Sequence, residues 1–217
     1  LSSPREIIEN HHVNRLWAQE SDLSTVIFQN RDGTKTMYYY SEPVKYVDKN
    51  GQVKDKRSNI AKLNDESDYA KEYGHVNADN NINTYFPRNM SKESGIVLEK
   101  GDIKIELAPL FCVGKNLKAS VTEKSDLKSL VETAPTLRTD AQVSSSVKSV
   151  VTDNDGKAKD AIQYDKVFGE EISLRYTTTF SGYKEDIILN RYTGINEFAF
   201  TVKTNGLSLT SDDGCFY

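Results

Sequence analysis

Histidine, cysteine and long apolar runs are scarce in this chain: among 217 residues there are three histidines, two cysteines and one tryptophan. No apolar stretch approaches the roughly 18 to 20 residues that a membrane-crossing helix requires, so membrane insertion by a helix is not expected. The opening Leu1-Ser2-Ser3-Pro4-Arg5 lacks the charged and apolar regions of a signal peptide. Charge of one sign is missing too. There are 28 basic residues against 32 acidic ones, a net charge of −4, and the lysines are interspersed with aspartates and glutamates. A polyanionic backbone is held by a clustered cationic face, so nucleic acid is not an expected partner.

The scarcity of histidine and cysteine also narrows the chemistry. His11 and His12 are adjacent and point to different sides of any regular element, and His75 stands alone, so no zinc-like spacing is present. No Gly-x-Ser-x-Gly elbow occurs, and no histidine lies near Cys112 or Cys215 in sequence, so nucleophilic catalysis has no signature. Glu170-Glu171 and Glu185-Asp186 are acidic neighbours, but successive strand residues face opposite sides, so neither pair can act together on one glycosidic bond. The expectation is a non-catalytic protein without cofactor or metal, a glycoside-processing enzyme being the least favoured alternative. Cys112 and Cys215 would close a loop of about 100 residues if bridged, a gain of up to about 4.7 kcal/mol in the chain-entropy model. Two buried free thiols acting as small apolar residues are the alternative.

What is present is the vocabulary of strands. A chain of this length buries about 70% of its unfolded surface and needs no staple to hold a core. Val26 and Phe28 alternate with polar neighbours, Arg31-Asp32-Gly33 makes a turn, and Thr34 to Tyr40 returns, which predicts a hairpin. Asn50-Gly51 and Asp155-Gly156 repeat the device. Gly95 to Glu99, a Lys100-Gly101-Asp102 turn, and Ile103 to Leu107 predict another pair, with Ile103, Ile105 and Leu107 on one face. Ile172 to Thr178, Tyr183 to Leu189, Glu197 to Lys203 and Leu207 to Leu209 read as a meander. Helix is expected over 4–20, within an N-terminal segment 1–23, and over Ser125 to Glu132, capped by Ser125 and ended by Pro135. Residues 58–94 are rich in Asp and Asn and read as a long polar excursion on the surface, anchored by Tyr85-Phe86-Pro87. The predicted fold is all-β with minor helix: a large antiparallel β-sandwich over 24–217.

Two turns carry oxygen ligands around a glycine as calcium loops do: Asp48-Lys49-Asn50-Gly51 followed by Asp55, and Asp153-Asn154-Asp155-Gly156 followed by Asp160. Neither completes the ligand series, and hairpin turns account for every residue in both. Tyrosine is the abundant aromatic, twelve in all, with Tyr38-Tyr39-Tyr40 consecutive. A tyrosine on a sheet face presents flat apolar area with a polar tip, so Tyr38, Tyr40 and Tyr46 are the candidates for binding a sugar or a surface ligand. Cross-strand packing is the competing account.

The stretches Tyr40 to Gly51, Tyr164 to Phe168, Lys184 to Leu189 and Tyr192 to Leu209 resemble the segment ahead of the repeats in secreted, wall-associated bacterial proteins of the YD-repeat (RHS-like) and DNRLRE-domain kinds. The likeness covers roughly residues 25 to 60 and 85 to 217 and lies in strand and turn wording. It departs where an acidic residue and an isoleucine are usual and this chain has Lys56-Arg57, and no repeats occur within residues 1–217. The chain begins with Leu and closes on Cys215-Phe216-Tyr217 within an apparent strand, as a trimmed fragment would. The resemblance implies a module of a secreted or cell-surface protein, partnered by other domains of its parent; cell-surface glycan is the partner in the alternative reading carried by the tyrosines.

Overall fold

The computed structural model describes residues 12–114, 151–152, 158–159, 161–208, 210–212 and 215–216. Its strands are β1 (His12–Arg15), β2 (Thr25–Asn30), β3 (Lys35–Tyr39), β4 (Lys45–Val47), β5 (Val53–Asp55), β6 (Ala61–Lys62), β7 (Tyr73–Asn77), β8 (Asn83–Pro87), β9 (Ile96–Lys100) and β10 (Ile103–Gly114). After these come β11 (Val151–Thr152), β12 (Ala158–Lys159), β13 (Ala161–Tyr164), β14 (Ile172–Thr179), β15 (Gly182–Leu189), β16 (Ile195–Thr204), β17 (Ser211–Asp212) and β18 (Cys215–Phe216). The protein is all-β and the ladders between these strands are antiparallel.

Two sheets build the main core. One runs in the order β16-β10-β9-β8-β7-β6, the other β13-β14-β15. Period-two alternation assigns the faces of the larger sheet. Phe86, Met90 and Ile96 point inward and pack with Ile162, Tyr164, Val167, Phe168, Ile172, Leu174 and Tyr176, joined by Phe198 and Phe200 of β16. Tyr85 and Val97, register partners one residue away, point to the other face and form a second cluster with Leu63, Tyr73 and Val76. Tyr164 ties the two layers together: its buried hydroxyl donates to the Pro87 carbonyl at 2.9 Å. A third unit is the sheet β1-β2-β3, whose Val26 and Phe28 pack on Val44 beside the β4-β5 hairpin.

The hairpin turns form as their residues dictate. Gly33 has φ +85° and its N–H bonds back to Asn30 O, while Asp32 Oδ1 accepts from the Thr34 N–H. Three expectations are corrected. The helix over 4–20 is replaced, from residue 12 on, by β1 and one 3-10 turn at Trp17–Gln19, because His12 and Arg15 pair with Asn30 and Phe28 of β2. The polar stretch 58–94 carries β6, β7 and β8, and two of its asparagines donate inside: Asn77, fully buried, to the carbonyls of Arg57 and Asn59, and Asn80 to Thr179 O. The C-terminal meander stops at β15, and β16 crosses to the larger sheet to pair with β10. The helix over 125–132 and the Asp155-Gly156 turn lie outside the described residues, as does any meeting of the Cys112 and Cys215 side chains.

Candidate functional site

The tyrosines singled out from sequence do not stand in the open. On β3 the side chains alternate, so three consecutive tyrosines cannot share a face. Tyr39 is 75% exposed, whereas Tyr38 and Tyr40 turn inward against Val26, Phe28 and Val44. Tyr38 meets Phe28 and His12 edge-on, at 6.0 and 5.6 Å between ring centres, and its hydroxyl lies 2.9 Å from His12 Nε2. His12 stacks flat on Phe28 at 4.6 Å and directs Nδ1 at Asn30 Oδ1. Burial pushes the Tyr40 phenol above its ordinary pKa and does the same for Tyr46, which is itself buried. These three rings are therefore packing residues of the small sheet and the β4-β5 hairpin, and the exposed platform expected of them is absent.

The structure instead gathers four charges that nothing in the sequence links. Arg15 ends β1, Glu20 follows the 3-10 turn, Lys45 opens β4 and Asp55 closes β5. Glu20 accepts from Arg15 Nε at 2.7 Å and Nη2 at 3.0 Å, from Lys45 Nζ at 2.8 Å and from the Ile27 N–H at 3.1 Å. Arg15 Nη1 reaches Asp55 at 2.5 Å, and the Arg15 guanidinium lies 3.5 Å over the Trp17 ring. The Glu20 and Lys45 side chains are each only 1% exposed. Burial pushes the Glu20 carboxyl up, but the hydrogen bonds from Arg15, Lys45 and the Ile27 amide more than offset it, and the net pKa is lowered. A buried charge is tolerable only when paired and hydrogen-bonded, and here each charge answers another. The arrangement bolts β1, β4 and β5 to one another.

Asp48, Glu170, Glu171, Glu185 and Asp186 are likewise engaged. Asp48 accepts from the N–H groups of Asn50 and Gln52, both at 2.9 Å, and pairs with Lys54 at 2.6 Å. Those contacts close a hairpin, with Gly51 at φ +77°, and they occupy the carboxylate that resembled a calcium ligand. Asp153 and Asp155 lie outside the described residues. Among the described residues no group of three or more His, Cys, Asp or Glu side chains is placed to hold a metal ion. Glu170 pairs with Lys166 and Glu171 with Arg191. In β15 the neighbours part as period-two geometry requires: Asp186 pairs outward with Lys184 at 2.8 Å, while Glu185 meets the Tyr176 hydroxyl, and burial raises its pKa. His75 is half-buried on β7, with its pKa lowered by burial and by the positive charges of Arg88 and Lys62.

On the outer face of the large sheet, Tyr69 stacks on Tyr85 at 4.1 Å and meets Tyr73 edge-on at 5.5 Å. The hydroxyls of Tyr69 and Tyr85 donate to the two oxygens of Glu99, and Lys104 Nζ sits 4.8 Å over the Tyr69 ring. Lys56, part of the Lys56-Arg57 departure noted in sequence, is buried, and burial lowers its pKa. Set against protein-family models, curated proteins and solved structures, the chain matches none.

Proposed function

We propose that this chain is a non-catalytic structural module of a secreted or cell-wall-associated bacterial surface protein, holding other domains of its parent in place. The observation that carries the reading is the Arg15–Glu20–Lys45–Asp55 network, in which ionisable groups of separate elements are spent on one another rather than turned toward a substrate. The pairing of Asp48, Glu170, Glu171 and Asp186 with basic side chains supports the same reading. The surface location rests on the strand and turn wording described above. Incubation with a broad panel of glycans and peptides should give no turnover. Hydrolysis that disappears when one carboxylate is changed to its amide would sink the proposal.

The glycan-binding alternative passes from Tyr38, Tyr40 and Tyr46 to Tyr39 and Tyr192, which are 75% and 81% exposed. A glycan array separates the two readings: retention at high micromolar concentration, lost in Tyr39→Ala or Tyr192→Ala, would favour binding over a purely structural role.

A further inference from the structure

The larger sheet ends differently at its two sides. At one edge stands β6, two residues long, and at the other β16, ten residues from Ile195 to Thr204 without a proline or glycine. Exposed edges are normally kept short, broken by proline or blocked by charge, because their free N–H and C=O groups template a further strand. Among the described residues no strand lies against the outer side of β16.

Which of its backbone groups face outward follows from the ladder with β10. Antiparallel partners alternate between pairs that exchange both hydrogen bonds and pairs that exchange none. Asn205 donates its N–H to Lys104 O, and the Lys104 N–H turns back to Asn205 Oδ1, so this pair lies on the bonded parity. Steps of two along the register carry that parity to Lys203 with Glu106 and Thr201 with Ala108. Phe200 sits opposite Pro109, which has no N–H to give, and so falls on the other parity. The irregularity near Pro109 places the extra residue on β10, so β16 keeps its alternation. The N–H and C=O groups of Phe198, Phe200 and Val202 therefore point away from β10.

We infer that the occupant of this edge is a second copy of the same chain, pairing β16 with β16 antiparallel about a two-fold axis at Phe200. In that register Phe200 exchanges both bonds with its counterpart and Phe198 exchanges both with Val202 of the second copy. Residues equidistant from Phe200 on either side come opposite each other, which puts Glu197 of each copy against Lys203 of the other. They do so at the non-bonded position, where side chains approach most closely. Lys203 is half exposed and 3.6 Å from Glu106, Glu197 is exposed, and Val202 is 45% exposed and would be covered. The two large sheets become one continuous sheet through an isologous contact. A junction of one strand per copy buries less than the roughly 1,000 Å² of a durable interface, so association rises with concentration.

Sedimentation equilibrium of the full chain, from about micromolar to about millimolar, should show the mass rising from 24.5 kDa toward its double. Val202→Pro removes an outward N–H and leaves the bonds to β10, so association should weaken at least about tenfold while circular dichroism is unchanged. Glu197→Lys alone and Lys203→Glu alone should each be monomeric, since each places like charges across the axis, and an equimolar mixture of the two should form the heterodimer. A native chain that stays monomeric throughout overturns the inference. So does a dimer that neither charge change dissociates and whose two variants fail to associate selectively.

Discussion

Glu20 shows how much one side chain can decide. Its carboxylate is 1% exposed and holds Lys45, equally buried, together with Arg15. Glu20→Gln keeps the size and removes the charge, leaving Lys45 desolvated without compensation. Breaking a buried pair from one side costs about 3–5 kcal/mol, so the urea midpoint should fall sharply. By contrast Lys166 and Glu170, about half exposed, form a surface pair, and Glu170→Gln should move stability by less than about 1 kcal/mol. Sequence could not distinguish these two glutamates. An i,i+4 spacing announces the weak pair at Lys166 and Glu170, whereas the strong network joins residues up to 40 positions apart, Arg15 and Asp55, on elements whose mutual placement only the tertiary structure defines. Tyr38 and Tyr40 were readable in part: period two puts them on one face of β3, but which face meets Val26 is decided by pairing with β2.

At the scale of elements, the β9–β10 hairpin is held by a close approach as well as by its turn. A Cβ on Gly95 would lie 1.9 Å from the Leu107 carbonyl oxygen and 2.7 Å from Ala108 Cα, both backbone atoms that cannot step aside. Gly95→Ala should therefore separate the strands where Ile96 faces Leu107, at a cost of at least about 3 kcal/mol, the upper end of ordinary overpacking. Equilibrium unfolding in urea measures it. The hairpins were visible in advance because Asp32-Gly33 and Asn50-Gly51 supply positive φ where two strands must reverse, a local property. The strands of 58–94 were not, because Asn77 and Thr84, fully buried partners across β7 and β8, are polar, and the place of Asn77 inside rests on the carbonyls of Arg57 and Asn59. The destination of β16 was hidden for a related reason, since alternation defines a strand and its face but not its neighbour.

Among the described residues, hydrogen-bonded and buried carboxylates contribute to the response to pH. Glu20, Asp22, Asp32 and Asp48 all have folded-state pKa values below their ordinary ones; in Glu20 hydrogen bonds outweigh a large opposing effect of burial, and in the other three hydrogen bonds lead. Such groups stabilise the fold at every pH above their unfolded values and lose that contribution as pH falls through the folded ones. Glu185 has the opposite sign: burial raises its pKa, so its ionisation weighs against folding at neutral pH, and the penalty is withdrawn as pH falls through the raised value. Thermal melts should thus find Glu185→Gln more stable than the native chain at pH 7, with the gap closing on acidification toward about pH 4, the ordinary glutamate value. The crossing of β16 to β10 also bears on how quickly the molecule can form. Strands β13, β14 and β15 are joined by short turns and can zip together early, but the β10 ladder waits for residues 99 positions downstream where Ile105 meets Thr204. Distant contacts charge their loop entropy before returning any energy, which places this protein among slow folders. Until β16 arrives, the apolar flank of β10 is bare, and that interval is when aggregation competes with completion of the sheet.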